Sequence, residues 1–169
     1  MDLVREKIRL FLKKYYDLNH SAYTTDESVQ KLIKFIIDRR NASLGDSLIN
    51  FIYSCSKTLA RSECTGIKVS DEILLTGYSS SKLHLWLKLP GKKKDQANAL
   101  EALIFYMWLN FDYSIEEMTL NLLAKIGDKT LNLNDEVEEK RVAGMGFGHL
   151  FDSFHELLRN NTDKKEISS

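Results

Sequence analysis

The sequence has few residues that interrupt helices. Among its 169 residues there are one proline, Pro90, and eight glycines, and these two residue types are the least compatible with a helix interior. The sequence also lacks any clear alternation of apolar and polar residues, which is the pattern of a half-buried strand. With 43% apolar and 28% charged residues, it has the composition of a globular domain rather than a disordered chain. We therefore expect an all-α fold.

Neither an excess of one charge sign nor a long apolar run is present. The 24 lysines and arginines balance the 24 aspartates and glutamates, and the pI is about 6.9. A basic surface for a polyanion must therefore be local. The most apolar run, residues 99–109, contains Glu101 and is too short to cross a bilayer. We expect no membrane partner.

Cysteine is scarce, and several familiar site motifs are missing. Cys55 and Cys64 form no CxxC pair, and the first residues, MDLVREKIRLFLKK, mix charge with apolar residues, unlike a signal peptide. These features suggest a reducing cytoplasm, with a disulfide as the alternative. The sequence has no HExxH and no GxSxG motif. It also has no glycine-rich phosphate loop after a strand pattern, so no nucleotide cofactor is expected.

Apolar residues at helical spacing predict nine helices in one domain. In chain order they cover about residues 3–16, 25–38, 44–59, 71–76, 82–87, 95–111, 115–125, 135–142 and 147–160. The sixth is apolar almost all round and should be central. The glycines of AGMGFGHLF are expected to form a tight connection between the last two. Residues 1–160 would then form one helical domain, and the polar tail 161–169 should be disordered.

Caps and apolar stripes define these helices further. Thr24 with Glu27 and Ser114 with Glu117 have capping-box spacing, and Ser70 should cap the fourth helix. The stripe of the first helix contains Val4, Ile8, Phe11, Leu12 and Tyr15, and that of the third contains Leu44, Leu48, Ile52, Cys55 and Leu59. The sixth helix carries Phe105, Tyr106, Trp108 and Phe111, which we expect in the core or in a dimer interface.

Two carboxylates do not fit the apolar pattern around them. Asp46 is the only charge in LGDSLINFIYSC, and Glu101 is the only charge in ANALEALIFYMWL. An ionised carboxylate on a buried helix costs several kcal/mol unless it is paired, protonated or bound to a metal. Each acid could simply face solvent or pair with a nearby cation. Their occurrence on the two most apolar helices suggests instead that they meet, and oxygen ligands favour Mg²⁺ or Mn²⁺.

The two segments that carry these acids resemble the ribonuclease III catalytic domain. LGDSLINFIYS resembles the family's signature helix, LEFLGDAVL, and ANALEALIFYMWL is similar to its second acidic helix, ADAFEALIGAIYL. Their order and their separation of 55 residues also agree, and the resemblance covers roughly residues 26–125. It implies a magnesium-dependent endonuclease that cuts double-stranded or structured RNA. It also implies a homodimer with the signature helices at a two-fold axis.

The resemblance assigns site residues only in part. Asp46 and Glu101 would be catalytic metal ligands. Two further acidic positions of the family fall on Ala42 and on Asn98, whose amide oxygen could still bind metal. Asp95, one turn before Asn98, could supply a compensating charge. A reduced acidic set and the lack of a separate double-stranded-RNA-binding domain are similar to the short branch called mini-ribonuclease III.

Further candidates lie near these motifs. The segment KVSDEIL resembles a short family helix that carries another acid, which makes Asp71 or Glu72 a candidate ligand. Lys92, Lys93 and Lys94 precede the second acidic helix and, with Lys57, could contact RNA phosphates. The alternative is an ordinary solvated loop.

Three classes of function follow from the sequence. A metal-dependent endoribonuclease is the leading interpretation. A non-catalytic dimer that grips structured RNA or a ribosomal particle is favoured by Ala42 and Asn98. A helical scaffold unrelated to RNA would require both motif matches to be accidental.

Overall fold

The chain folds into packed helices, as its composition predicts. A computed structural model describes residues 2–16, 18, 23, 25–127 and 135–160, and these residues form eight helices and no strand. The helices are α1 (Asp2–Leu12), α2 (Asp26–Ile36), α3 (Arg39–Arg61), α4 (Asp71–Ser80), α5 (Lys82–Trp86), α6 (Lys93–Asn110), α7 (Ile115–Ile126) and α8 (Glu136–Asn160). The all-α prediction is confirmed. The predicted tail 161–169 lies outside the described residues.

Side-chain caps begin several of the helices. The Ser70 hydroxyl accepts from the Ile73 amide, and Ser114 forms the expected capping box with Glu117. The second helix is capped by Thr25, whose hydroxyl accepts from the Ser28 amide. The predicted cap Thr24 lies outside the described residues. Both threonines carry a suitable hydroxyl, so only the backbone path could decide which of them caps the helix.

Helix α6 is the centre of the core. Every residue from 99 to 110 is buried, and the helix packs most extensively against α3. Phe105, Tyr106 and Trp108 are buried as predicted, and Phe111 is half-buried. No helix within the described residues is long and apolar enough to cross a membrane.

The last two predicted helices are one continuous helix, α8, so the prediction of a glycine connection between them is wrong. Its glycines instead allow α4 to approach closely. A Cβ at Gly77 of α4 would lie 2.7 Å from the Phe147 Cβ and 2.9 Å from the Gly148 nitrogen. A Cβ at Gly144 would lie 2.7 Å from the Thr76 methyl carbon. Close packing compensates for the low helix propensity of glycine.

Helix α1 is oriented differently from its apolar pattern. Its predicted stripe is largely exposed, including Val4 and Phe11, whereas Arg5 is only 8% exposed. Arg5 donates to the Asp112 carboxylate at 2.6 Å, and Arg9 donates to the Leu109 carbonyl. The last carbonyls of a helix attract cations, and the C-terminal end of α6 therefore holds the arginine face of α1.

Helix α3 has two apolar faces. Its buried face contains Asn41, Ala42, Gly45, Ile49, Ile52, Tyr53, Ser56 and Lys57. Of the predicted stripe, Leu44 and Leu59 are about half exposed and only Ile52 is fully buried. Phe51, which was not part of that prediction, is also about half exposed beside Leu44 and Leu59. Most of the stripe therefore does not face the core of the single chain, because the close contact at Gly45 turns the adjoining face of α3 toward α6.

Candidate metal centre

A glycine brings the two acidic helices into backbone contact. Gly45 of α3 lies against Glu101 of α6, and a Cβ built at Gly45 would fall 1.9 Å from the Glu101 carbonyl oxygen. No side chain fits in that space. Because Asp46 directly follows Gly45, this contact places the two isolated carboxylates of the sequence at one helix crossing.

A cavity of about 380 Å³ opens at this crossing. Asp46, Asn98, Glu101 and Asp71 all line it, together with Ala42, Ser43, Arg39, Lys68 and Lys94. Of the two acids in KVSDEIL, the structure therefore brings Asp71 to the cavity. Glu72 is exposed and its carboxylate lies 3.6 Å from the Lys140 ammonium.

Asn50 fixes one side of the cavity and was not predicted as a site residue. Its side-chain amide donates to the Asp46 carboxylate at 3.1 Å, and its amide oxygen accepts from the Val69 backbone at 2.8 Å. Val69 immediately precedes the Ser70 cap that begins α4 with Asp71. Asn50 thus joins α3 to the start of α4. The available signal was an amide one helical turn after Asp46, which lies on the same face.

Glu101 is a buried carboxyl with an altered acidity. The residue is only 7% exposed, and this burial raises the pKa of its carboxyl group from 4.5 to about 7. The nearby charge of Asp46 raises the pKa further, whereas Lys94 opposes the shift. Among the described residues, no hydrogen bond or ion pair engages this carboxyl. A bound cation would therefore relieve the largest unfavourable feature of the site.

Three cationic side chains line the cavity beside the carboxylates, and two of them were not predicted from the sequence. Arg39 lies in no motif that links it to Glu101, and Lys68 begins the segment KVSDEIL, in which only the acids were predicted to belong to the site. Lys94 was predicted to contact RNA, and its ammonium lies 3.1 Å from the Asp71 carboxylate. Formally, the positive charges of these side chains equal the negative charges of the three acids lining the cavity.

The donor set has the chemistry of a site for a hard divalent cation. Carboxylate and amide oxygens are the ligands that Mg²⁺ and Mn²⁺ prefer. Within the described part of the chain, however, no three acidic, histidine or cysteine side chains are gathered closely enough to hold an ion as they stand. Asp71 is engaged by Lys94, and one oxygen of Asp46 accepts from Asn50. Ion binding thus requires these carboxylates to move together.

Asp95 does not line the cavity, contrary to the prediction that it supplies a compensating charge there. Its carboxylate accepts from the Lys92 backbone at 3.2 Å and lies 3.8 Å from the Arg39 guanidinium. Helix α6 begins at Lys93 rather than at Asp95. The carboxylate therefore lies in the first turn, where it stabilises the free amides of the helix end.

The predicted RNA-binding lysines separate into two groups. Lys92, Lys93 and Lys94 are exposed, as a phosphate-binding surface requires. Lys57 is buried and forms an ion pair with Glu139 of α8, which also accepts from the Tyr53 hydroxyl. The prediction that Lys57 contacts RNA is not supported, because its ammonium holds α3 against α8 and is shielded from solvent.

The sequence model of the ribonuclease III family matches residues 39–160, which are 122 of the 169 residues of the chain. The match includes α3, α6 and the cavity between them. The chain therefore belongs to the ribonuclease III family, a family of RNA-processing nucleases. No curated protein matches the chain. The family match shows that the two motif matches are not accidental, whereas the interpretation of a helical scaffold unrelated to RNA requires them to be.

Proposed function

We propose that this protein is a divalent-metal-dependent endoribonuclease that hydrolyses phosphodiester bonds in double-stranded or structured RNA, such as a ribosomal RNA precursor. The observation that carries the proposal is the shared cavity of Asp46 and Glu101, two carboxylates isolated in apolar helices. Replacing such acids by apolar residues would favour a purely structural helix crossing. Their presence beside an open cavity supports a chemical role.

The acids and amides at the cavity have distinct roles in this proposal. Asp46, Asp71 and Glu101 would hold Mg²⁺ or Mn²⁺, and Asn98 would offer its amide oxygen. When bound, the ion would supply Lewis-acid activation of water and of the phosphodiester. Asn50 orients the Asp46 carboxylate, and Glu101 must release its proton before it can act as an anionic ligand.

Charge explains how a neutral protein would attract RNA. The three acids and three cations of the cavity cancel formally, so a bound divalent ion leaves a local positive charge. Exposed Lys92 and Lys93 extend this charge along the start of α6. RNA phosphates would then bind here, and binding would weaken with added salt.

A homodimer would use the exposed face of α3. Leu44, Phe51 and Leu59 recur at seven and eight residues and therefore form one stripe along the helix. A continuous exposed apolar stripe is typical of a protein interface, and a two-fold axis would bring two identical cavities to one duplex. We also propose that residues 1–160 form a single helical domain and that the protein acts in the cytoplasm.

The dimer has its own test. Phe51→Asp should convert the protein from dimer to monomer in sedimentation experiments, because it places a charge in the middle of the stripe. Leu85→Asp, at an exposed leucine of α5, is the matched control and should leave the dimer intact. A monomeric wild-type protein would contradict this interface.

A second function, RNA binding without cleavage, also has support. Ala42 and Asn98 stand where the family's motifs carry acids, and the described carboxylates are not preassembled around one point. A protein of this kind would grip structured RNA or a ribosomal particle as a dimer.

Cleavage of a long RNA duplex separates the two functions. Wild-type protein, Asp46→Asn, Glu101→Gln and the surface control Glu116→Gln would each be incubated with duplex in Mg²⁺ or Mn²⁺. The endonuclease proposal expects cutting by wild type and control only. Wild-type protein that binds the duplex but leaves it intact with both metals would establish the non-catalytic function. Equal cutting by all four proteins would point to a contaminant and remove both acids from the site.

A further inference from the structure

One carboxylate of the cavity is already occupied by a lysine. Lys94, the second residue of α6, lies 3.1 Å from Asp71, the first residue of α4. Both side chains line the same cavity as Asp46 and Glu101. A divalent cation that recruits Asp71 must therefore displace the Lys94 ammonium.

The exposure of this ion pair makes such an exchange easy. The side chains of Lys94 and Asp71 are 67% and 42% exposed, so solvent screens their attraction. The pair of Lys57 with Glu139 is the opposite case, with side chains only 6% and 15% exposed. Separating that buried pair would leave uncompensated charges inside the protein. Of these two pairs, the one at the cavity is therefore suited to reversible opening.

We propose that Lys94 is a cation exchanged between Asp71 and the RNA backbone. Without a divalent ion, Lys94 neutralises Asp71. When the ion takes Asp71, the released ammonium binds a phosphate oxygen of the RNA at the mouth of the cavity. This inference rests on the proposed function and adds to it a residue that couples metal binding to RNA binding.

The exchange has a thermodynamic consequence that differs from a simple phosphate contact. Lys94 competes with the ion when RNA is absent, and assists RNA only when the ion is present. By linkage, the ion strengthens RNA binding and RNA strengthens ion binding by the same factor. Removal of Lys94 should therefore tighten ion binding in the absence of RNA and weaken the coupling between the two ligands.

Lys68 provides a matched control for charge alone. It lines the same cavity and affects the same carboxyl, Glu101, but the described contacts include no ion pair between Lys68 and Asp71. Lys68→Met removes one positive charge from the cavity without releasing Asp71. Lys94→Arg keeps the charge and its hydrogen-bond donors, and should preserve the exchange.

The experiment measures two equilibria rather than cleavage alone. Mn²⁺ binding is measured by calorimetry without RNA, and binding of a short RNA duplex by fluorescence anisotropy with and without Ca²⁺, with the duplex checked for integrity afterwards. Lys94→Met should bind Mn²⁺ about 3- to 10-fold more tightly than wild type. Its gain in RNA affinity on addition of Ca²⁺ should fall at least about threefold below the wild-type gain.

The variants separate the possible results. The exchange is supported if Lys68→Met lowers RNA affinity overall but keeps the wild-type gain, and if Lys94→Arg behaves like wild type. It is overturned if Lys94→Met keeps the full gain, or if Lys94→Met and Lys68→Met behave alike. Cleavage by wild type is scored separately. Coupled binding without cutting would reject only the endonuclease, whereas cutting with unchanged coupling in Lys94→Met would reject only the exchange.

Discussion

Two helix crossings in this protein depend on glycine, and they differ in what surrounds the contact. At the crossing of α3 with α6, a Cβ at Gly45 would fall 1.9 Å from a backbone oxygen of Glu101. At the crossing of α4 with α8, a Cβ at Gly77 would fall 2.7 Å from a carbon of Phe147. Both contacts bring helix backbones unusually close.

The chemistry beside the two contacts is different. The second crossing is lined by Thr76, Ser80 and Phe147, and the Ser80 hydroxyl donates to the Gly77 carbonyl at 3.0 Å. The first has Asp46 and Glu101 beside an open cavity, and the buried carboxyl has a pKa of about 7. Glycine therefore explains the proximity in both places, whereas only the carboxylates beside the open cavity indicate a function.

The largest effect, a loss of duplex cleavage, is expected when an acid at the crossing of α3 with α6 is replaced by its neutral amide. Asp46→Asn and Glu101→Gln should each reduce duplex cleavage at least about 100-fold, because each removes an anionic ligand. The double variant should be little worse than either single variant, since a metal site can be lost only once. Turnover on a labelled duplex measures this, and multiplying losses would show that the two acids act independently.

Filling the tighter contact should cost the most stability. Gly45→Ala should lower the free energy of unfolding by upwards of about 3 kcal/mol, because rigid backbone atoms of Glu101 block its Cβ. Urea denaturation measures the change. Gly66→Ala is the control, since nothing lies within 4 Å of its Cβ, and it should retain wild-type stability. Equal stability of both variants would mean that α3 and α6 do not touch at Gly45.

The buried carboxyl should make stability depend on pH. The Glu101 pKa of about 7 lies above its ordinary value of 4.5, so the folded protein holds this proton more tightly than the unfolded chain. Stability from this group is present at low pH and is lost as pH rises toward 7. In the presence of EDTA, Glu101→Gln should therefore be more stable than wild type by on the order of 2 kcal/mol at pH 8, and nearly equal to it at pH 4.

The matched variant for this pH dependence is Glu116→Gln, at an exposed position of α7. Its difference from wild type should change much less between pH 4 and pH 8 than that of Glu101→Gln in the same denaturation series. A constant difference between Glu101→Gln and wild type across the range would show that Glu101 has an ordinary acidity in the folded protein.

The smallest effect is expected at a glycine of α8 that is not in a tight contact. A Cβ at Gly146 would have its nearest neighbour at 3.4 Å, a side-chain carbon of Leu122. Because alanine is the better helix former, Gly146→Ala should stabilise the protein by about 0.5–1 kcal/mol. Gly77→Ala, at the close α4–α8 contact, should destabilise it in the same thermal unfolding measurement. Destabilisation by both variants would show that the helix around Gly146 is packed as tightly as the α4–α8 contact at Gly77.

Sequence patterns predicted features that depend on neighbouring residues. The caps Ser70 and Ser114 and the buried helix α6 follow from spacing and composition, which act within one or two helical turns. Asn50 was missed because its second partner, Val69, lies nineteen residues away. The orientation of α1 was also missed, because Arg5 is neutralised by Asp112, more than one hundred residues later.

The sequence alone therefore determined an all-α fold, the burial of α6 and the identity of two unusual acids, because periodicity and composition are local properties. It also suggested the family through two short motifs. Only the tertiary structure decided that Gly45 places Asp46 beside Glu101, that Asp71 joins them and Asp95 does not, and that Arg39, Lys68 and Lys94 neutralise the cavity. These outcomes depend on helix crossings and on charges far apart in the chain, for which a single sequence carries no local signal.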